Sequence, residues 1–233
     1  MNLPELHRAT LLRRYKRFLA DIEWPDGTTT TVHTPNTGSM RQCATPGATV
    51  LVSHSDNVQR KYPWTLELIE VNGHWVDTNT QRSNKVVAEA LELGTIEGLQ
   101  DYAVHPEKKL GDSRIDFLLE KTDQHQTQRM WLEVKNVTLM ITRACAGFPD
   151  AVTERGRRHL RELMMAVDQG DRAGVLFLVQ RAEAQLFAAA AEIDPAYAEQ
   201  LAVALNHGVE AFACQTQSDD TQTRIVRRIP VVV

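Results

Sequence analysis

The sequence predicts an α/β chain, α+β overall, in two parts: a small all-β barrel or sandwich over residues 1–83 and a mixed α/β domain over 84–233. Three observations predict it. Short apolar runs in the first part are separated by closely spaced turn signals, Pro25-Asp26-Gly27, Pro35-Asn36-Thr37-Gly38, Pro46-Gly47 and Asn72-Gly73. Beyond Asn84, apolar residues recur at helical spacing. Strand-like and helix-like segments then alternate.

Strands are expected at Thr28 to His33, Thr49 to Ser53, Trp64 to Val71 and His74 to Thr78. Asn72-Gly73, between two apolar-rich runs, is the strongest short hairpin signal. Val86, Val87, Ala90, Leu91 and Leu93 then mark a helix, with Asn84 placed to cap it and Gly94 to end it. Further strands are expected at Arg114 to Leu119, Met130 to Val134 and Gly174 to Gln180, with Thr122 to Gln128 as a polar hairpin loop. Thr142 to Gly147, small and aperiodic, reads as a mobile loop. A helix from Thr153 to Gln169 packs through Leu160, Leu163, Met164 and Val167, leaving Arg155, Arg157, Arg158, His159 and Arg161 elsewhere on its surface. A helix from Pro195 to His207 and a strand from Val209 to Ala213 complete the domain.

At 233 residues, 42% apolar and 24% charged, the chain has the composition of an ordinary soluble globular protein. No segment approaches the roughly 20 apolar residues of a membrane helix, and the N-terminus lacks a signal-peptide core, so a cytoplasmic location without membrane partners is expected. Cys43, Cys145 and Cys214 are too far apart for a C-x-x-C site and odd in number, which points to free thiols. Cys145 has no histidine placed beside it by the sequence, so it is not read as a nucleophile. The eight histidines offer no i, i+4 pair for zinc. Any metal should be a hard ion held by oxygens.

Charges interrupt two apolar runs. Asp116 lies within Arg114-Ile115-Asp116-Phe117-Leu118-Leu119, and Glu133 and Lys135 alternate with Leu132 and Val134. Alternate residues of a strand share a face, so Glu133 and Lys135 point together. A hairpin through the Gln-rich stretch brings Asp116 to them. Two carboxylates and an ammonium suit metal-assisted phosphodiester chemistry: the acids hold Mg²⁺ or Mn²⁺, and the lysine orients water or neutralises developing charge. The competing reading is a solvated face of an edge strand.

Five blocks in order, Arg14-Tyr15-Lys16-Arg17-Phe18-Leu19-Ala20-Asp21, Pro35-Asn36-Thr37-Gly38-Ser39-Met40, Ser113 to Leu119, Glu133 to Leu139 and Phe148 to Gly156, closely resemble the sugar fermentation stimulation protein A family, over essentially the whole chain. The resemblance implies an OB-like N-terminal barrel and a C-terminal domain like the PD-(D/E)xK restriction-endonuclease core. It places Asp116, Glu133 and Lys135 on catalytic positions, with Asp116, Glu133 and the helix residue Glu89 as metal ligands. Ile115 stands where the generic motif has proline. The family is described as DNA-binding and as regulatory in sugar (maltose) metabolism. A largely non-specific DNA-binding protein is therefore expected, with a metal-dependent DNA or RNA nuclease as the alternative.

Net charge is −4, but residues 1–20 carry Arg8, Arg13, Arg14, Lys16 and Arg17 against Glu5. Local fields govern phosphate attraction. An OB-type barrel binds single strands with a basic groove and aromatic platforms. Arg13, Arg14, Lys16, Arg17, Arg60 and Lys61 supply candidate charge, and Tyr15, Phe18, Tyr62 and Trp64 candidate stacking faces. The alternative makes Phe18 and Trp64 barrel core. Arg155 and Arg158, near the start of the Thr153 helix, add a second candidate phosphate contact, or else lie on an ordinary amphipathic surface. No recognition helix is evident, so single- or double-stranded DNA, or RNA, is expected to bind with weak sequence preference.

Overall fold

Alternating apolar and polar residues build a five-stranded barrel from β1 (Leu6–Tyr15), β2 (Leu19–Glu23), β3 (Thr29–His33), β4 (Thr49–His54) and β5 (Trp64–Val71). The computed structural model describes residues 1–123 and 126–233. Antiparallel pairing runs β3–β2–β1–β4–β5. One parallel contact, His33 with Thr65, closes the ring, which is the closed Greek-key arrangement of an OB fold. Leu11, Ile22, Val32, Val50, Leu66 and Ile69 fill it. β6 (His74–Asp77) returns along β5 through Asn72 and Gly73, both with positive φ, as a tight two-residue hairpin turn requires.

The second part opens with α1 (Thr80–Glu92), followed by β7 (Ala103–Leu110), β8 (Ser113–Asp123), β9 (Gln126–Val137), β10 (Leu139–Met140) and β11 (Cys145–Phe148). Next come α2 (Glu154–Asp168), β12 (Arg172–Val179), β13 (Leu186–Ala189), α3 (Pro195–Asn206), β14 (Glu210–Ser218), β15 (Thr223–Ile229) and β16 (Val231–Val232). The main sheet runs β14–β12–β9–β8–β7, with β15 also on β14. β9, β12 and β14 are parallel, and β7, β8 and β15 join antiparallel. β12 is buried on both faces, which explains its near-continuous apolar run. Val86, Val87, Ala90 and Leu91 of α1 join Phe117, Leu132 and Leu176 on one face. Leu160 and Leu163 of α2 and Tyr197 and Leu201 of α3 join Ile115, Val175 and Phe177 on the other.

Two local expectations are corrected. Asn84 does not cap α1; Asn79 does, its side chain accepting from the Gln81 N–H, and Asn84 lies a turn inside. Polar Arg82 and Ser83 are buried there, which hid the first turn from an apolar count. The expected boundary at residue 83 thus falls within α1. Thr142 to Gly147 is not simply a loop: β11 begins at Cys145, pairing with β10 and β13. Its small residues are needed for close packing, since a Cβ at Gly147 would lie 2.5 Å from Ile141 Cγ1. In the Gln-rich stretch Asp123 pairs with Gln126, while Gln124 and His125 lie outside the described residues. All three cysteines are free and buried, and burial pushes the Cys43 thiol up to about 11 and that of Cys214 to about 12.

Arg82 of α1, 5% exposed, joins the two parts. Its Nη1 donates to Asp77 Oδ2 of β6 at 2.7 Å and its Nη2 to Glu67 Oε2 of β5. Glu67 also accepts from Ser53 Oγ at 2.6 Å and from Asn79 Nδ2 at 2.8 Å. Burial raises Asp77 to about 6 even against the adjacent guanidinium. Removing one partner of a buried pair strands the other charge, so Arg82→Ala is expected to lower stability by about 3–5 kcal/mol. The denaturant midpoint of the full chain reads this directly.

Candidate functional site

The site forms where β8 and β9 part. Their ladder ends at Phe117 with Leu132. Just beyond, the Val134 N–H donates to Asp116 Oδ2 at 2.8 Å in place of a strand carbonyl. Asn84 Nδ2 of α1 donates to Asp116 Oδ1 at 2.7 Å. A side-chain carboxylate therefore finishes the hydrogen bonding that the fork leaves open.

On β9, Glu133 and Lys135 share the face turned to α2. Glu133 is 4% exposed. Its Oε1 accepts from Lys135 Nζ at 2.6 Å and lies 2.5 Å from His159 Nδ1 of α2. Arg155 Nε donates to His159 Nε2 at 3.3 Å, so Nε2 is the acceptor and Nδ1 carries the proton given to Glu133. Glu133 Oε2 is buried with no hydrogen-bond partner among the described residues. Such an oxygen is costly unless something else takes it.

The two carboxyls are driven apart. Burial, and then the Glu133 charge, raise Asp116 above the ordinary carboxylate range despite its Val134 and Asn84 donors. Burial pushes Glu133 upward too, but the His159 hydrogen bond and the Lys135 charge outweigh it and hold Glu133 below its ordinary value. One acid is thus fixed as an anion, and the other is poised to keep its proton longer.

Both line a cavity of about 400 Å³. Its walls come from both domains: Thr80, Ser83 and Asn84 of α1, Phe148 to Gly156 before and within α2, and Asn36 to Gly38 of the barrel. Asp150 also faces it. Two carboxylates with an unpartnered buried oxygen fit a hard divalent ion such as Mg²⁺ or Mn²⁺. No group of three His, Cys, Asp or Glu side chains able to hold a metal occurs among the described residues. Asp116 and Glu133 are the two carboxylates that would hold such an ion.

The structure brings Asp116, Glu133 and Lys135 together, and Arg155 beside them. It does not bring Glu89, whose carboxylate pairs with the Met1 amine away from the cavity. The α1 residues at the site are Thr80, Ser83, which donates to Asn136 Oδ1 at 3.0 Å, and Asn84. Arg158 Nε donates to Ser113 Oγ, and Arg157 pairs with Asp194. The α2 N-terminus is itself occupied, the Gly156 N–H donating to Thr153 Oγ1. On the barrel, Arg14 is turned inward: its Nη2 donates to the carbonyls of Asn36 at 2.7 Å, Gly38 at 2.9 Å and Arg17. Arg13 pairs with Asp21 at 2.7 Å, Arg60 donates to Thr65 Oγ1, and Lys61 lies over the Tyr62 ring. Lys16 and Arg17 are exposed on a left-handed turn with Phe18, which is 48% exposed and so not barrel core. Trp64 is half-buried, in edge contact with His7, Trp24 and His54.

His159 is the residue the sequence reading placed wrongly, on the outer side of α2. Its spacing to Gly156, Leu163 and Ala166, all buried, puts it on the packing stripe. Asn36 and Asp150 carried no spacing signal, because the walls they form meet only in three dimensions.

An OB-type barrel joined to a mixed α/β domain with a buried acid–lysine cluster at a strand fork defines the class. Residues 12–77 match the SfsA N-terminal OB domain, and residues 81–222 the sugar fermentation stimulation protein RE domain. The chain belongs to the sugar fermentation stimulation protein family. A homolog from Syntrophotalea carbinolica is 55% identical over 99% of both chains, and one from Geobacter sulfurreducens is 46% identical over 100% of this chain and 99% of that one. A structure of Pyrococcus furiosus SfsA in complex with Ca²⁺, 24% identical, shares the fold with a TM-score of 0.90, covering 100% of this chain and 98% of that one. No helix among the described residues is long and apolar enough to cross a membrane.

Binding of a cation by both carboxylates requires Asp116 to be ionised. Mn²⁺ affinity is therefore expected to fall as pH drops through the raised Asp116 value, above the ordinary carboxylate range of about 4, where Glu133 is still charged. Asn84→Ala removes a donor to the charged form and should move that fall to still higher pH. Calorimetric Mn²⁺ titrations of both proteins across the acidic range check the order.

Proposed function

We propose that this chain binds DNA with little sequence preference and that Asp116, Glu133 and Lys135 form a metal-dependent phosphodiester-hydrolysing centre acting on it. The observation that carries the reading is Glu133 Oε2, buried and without a partner among the described residues, on a carboxylate already held ionised by His159 and Lys135. The Pyrococcus furiosus relative was solved with Ca²⁺, a hard, oxygen-seeking ion of the same class.

A bound Mg²⁺ or Mn²⁺ would polarise the phosphate and lower the pKa of a coordinated water. The rest falls to the chain. Asn84 and the Val134 N–H fix the Asp116 carboxylate, which lines the cavity. His159 holds Glu133 through Nδ1–H, and Arg155 holds the tautomer. Lys135, 13% exposed and paired with Glu133, would face the charge that grows on the phosphate oxygens. Arg155, at the rim, offers a second cation.

The non-cleaving alternative, a DNA-binding regulatory factor connected to sugar metabolism, uses the same surface and lacks turnover. Purified protein is incubated with supercoiled, linear and single-stranded DNA and with RNA, in Mg²⁺, Mn²⁺ or EDTA, beside Asp116→Ala and Lys135→Ala. The expected result is metal-dependent cleavage, reduced about 100-fold or more in each variant. Binding without cleavage in any metal would leave the regulatory reading.

A further inference from the structure

We infer that the site takes a single strand of nucleic acid, and that the Lys16–Phe18 turn of the barrel is the platform that guides it in. The inference rests on the phosphodiesterase reading above and names its substrate class. Its first support is the depth of the site. Asp116 and Glu133 lie on the floor of a space of about 400 Å³ whose walls belong to different domains. That volume is near the low end of the roughly 300–1,000 Å³ typical of small-molecule pockets. It is wide enough for about one nucleotide. Duplex DNA, whose major groove alone is about 12 Å wide, stays outside it.

The wall is held rigidly. Ser39 Oγ donates to Asp150 Oδ2 at 2.9 Å and to the Asp150 carbonyl at 3.1 Å, and the Met40 N–H donates to the same carboxylate at 3.2 Å. Farther along, Gln42 exchanges two hydrogen bonds with the Met140 backbone, each 3.0 Å. A Cβ on Gly38 would stand 3.0 Å from both Asn36 Oδ1 and Asp150 Oδ2, so the barrel loop and the α/β domain meet with no spare room. These contacts tie the barrel loop to the α/β domain along the cavity wall.

The second support is an aromatic ring in the right place. One nitrogen, Arg14 Nη2, donates to the carbonyls of both Arg17 and Asn36, so the Lys16–Phe18 turn and the cavity wall share an anchor. Left-handed φ values of 48° at Lys16 and 63° at Arg17 turn the chain sharply there. The turn presents two exposed cations beside an exposed Phe18 ring. A cationic turn with an open aromatic face matches an unstacked base and its phosphates, since a paired base has no free face to offer.

The test measures binding of a labelled single-stranded oligonucleotide and of a blunt duplex of the same sequence to the full chain, in Ca²⁺ without Mg²⁺. Wild type, Phe18→Ala and Phe18→Trp are compared, with Ca²⁺ affinity measured separately. The single strand should bind more tightly than the duplex. Phe18→Ala should weaken the single strand about 5- to 150-fold, the range set by loss of one stacked base, and Phe18→Trp should restore it. Equal affinity for both forms, or no change in Phe18→Ala, overturns the inference while leaving the phosphodiesterase reading in place. Binding of neither form, together with no cleavage of either in Mg²⁺ or Mn²⁺, overturns both.

Discussion

The buried guanidinium of Arg82 is the constraint on which the rest depends. A charge removed from water must be matched on the spot, and Glu67 and Asp77 match it from two strands of the barrel side. Because Arg82 is one residue from Ser83 and two from Asn84, fixing its side chain fixes the rotation of the first turns of α1. Ser83 then reaches Asn136, and Asn84 reaches Asp116. The barrel thus sets the hydrogen bonding of an acid in the other domain without touching it.

The fork between β8 and β9 does the complementary part. A fully paired β8 would leave no N–H for Asp116, and the carboxylate would have to face water or an apolar layer. Ending the ladder at Phe117 frees the Val134 N–H and opens a space between strands that are otherwise tightly packed. On β9 the pleat sends Leu132 and Val134 into the α1 layer and leaves Glu133 and Lys135 facing α2. Two acids close in space then have different protonation tendencies because their partners differ: neutral donors for Asp116, an ammonium and an imidazole for Glu133.

Much of this was legible in the sequence, and for physical reasons. Trp64–Val71 emerged with its observed bounds because it is an apolar run ended by a turn that only Asn and Gly accept readily. The two later helices and the β12 core strand emerged because periodicity and length agree with burial. The acid–lysine pattern was legible because the strand pleat is local. What stayed hidden depends on contacts across the chain. Buried Arg82 and Ser83 look like a solvated helix start, and buried His159 looks like one more polar residue among arginines. Arg14 looks like a phosphate contact until its hydrogen bonds are seen to go to backbone carbonyls. Glu89 pairs with the Met1 amine because it lies five residues beyond Asn84, about 140° around the helix, and so is on a different face of α1 from the one that meets Asp116.

The balance of charge within the cavity gives the proposed metal a further role. Asp116, Glu133 and Asp150 line it against Lys135 and Arg155, so with all three acids ionised the cavity repels a phosphate. Glu133 is held ionised by its neighbours, and Asp116 keeps a proton more readily only because it is buried beside that charge. A divalent cation held by these acids would offset their negative field and favour ionisation of Asp116 at the same time. On the proposed reading, cation and phosphodiester therefore bind here in one order of dependence. The exposed Lys16–Arg17 turn stands outside this balance, on the barrel, and on the same reading would attract phosphate whether or not the ion is present. Retention on the barrel and entry into the cavity would then be separate events, and only the second would depend on the metal.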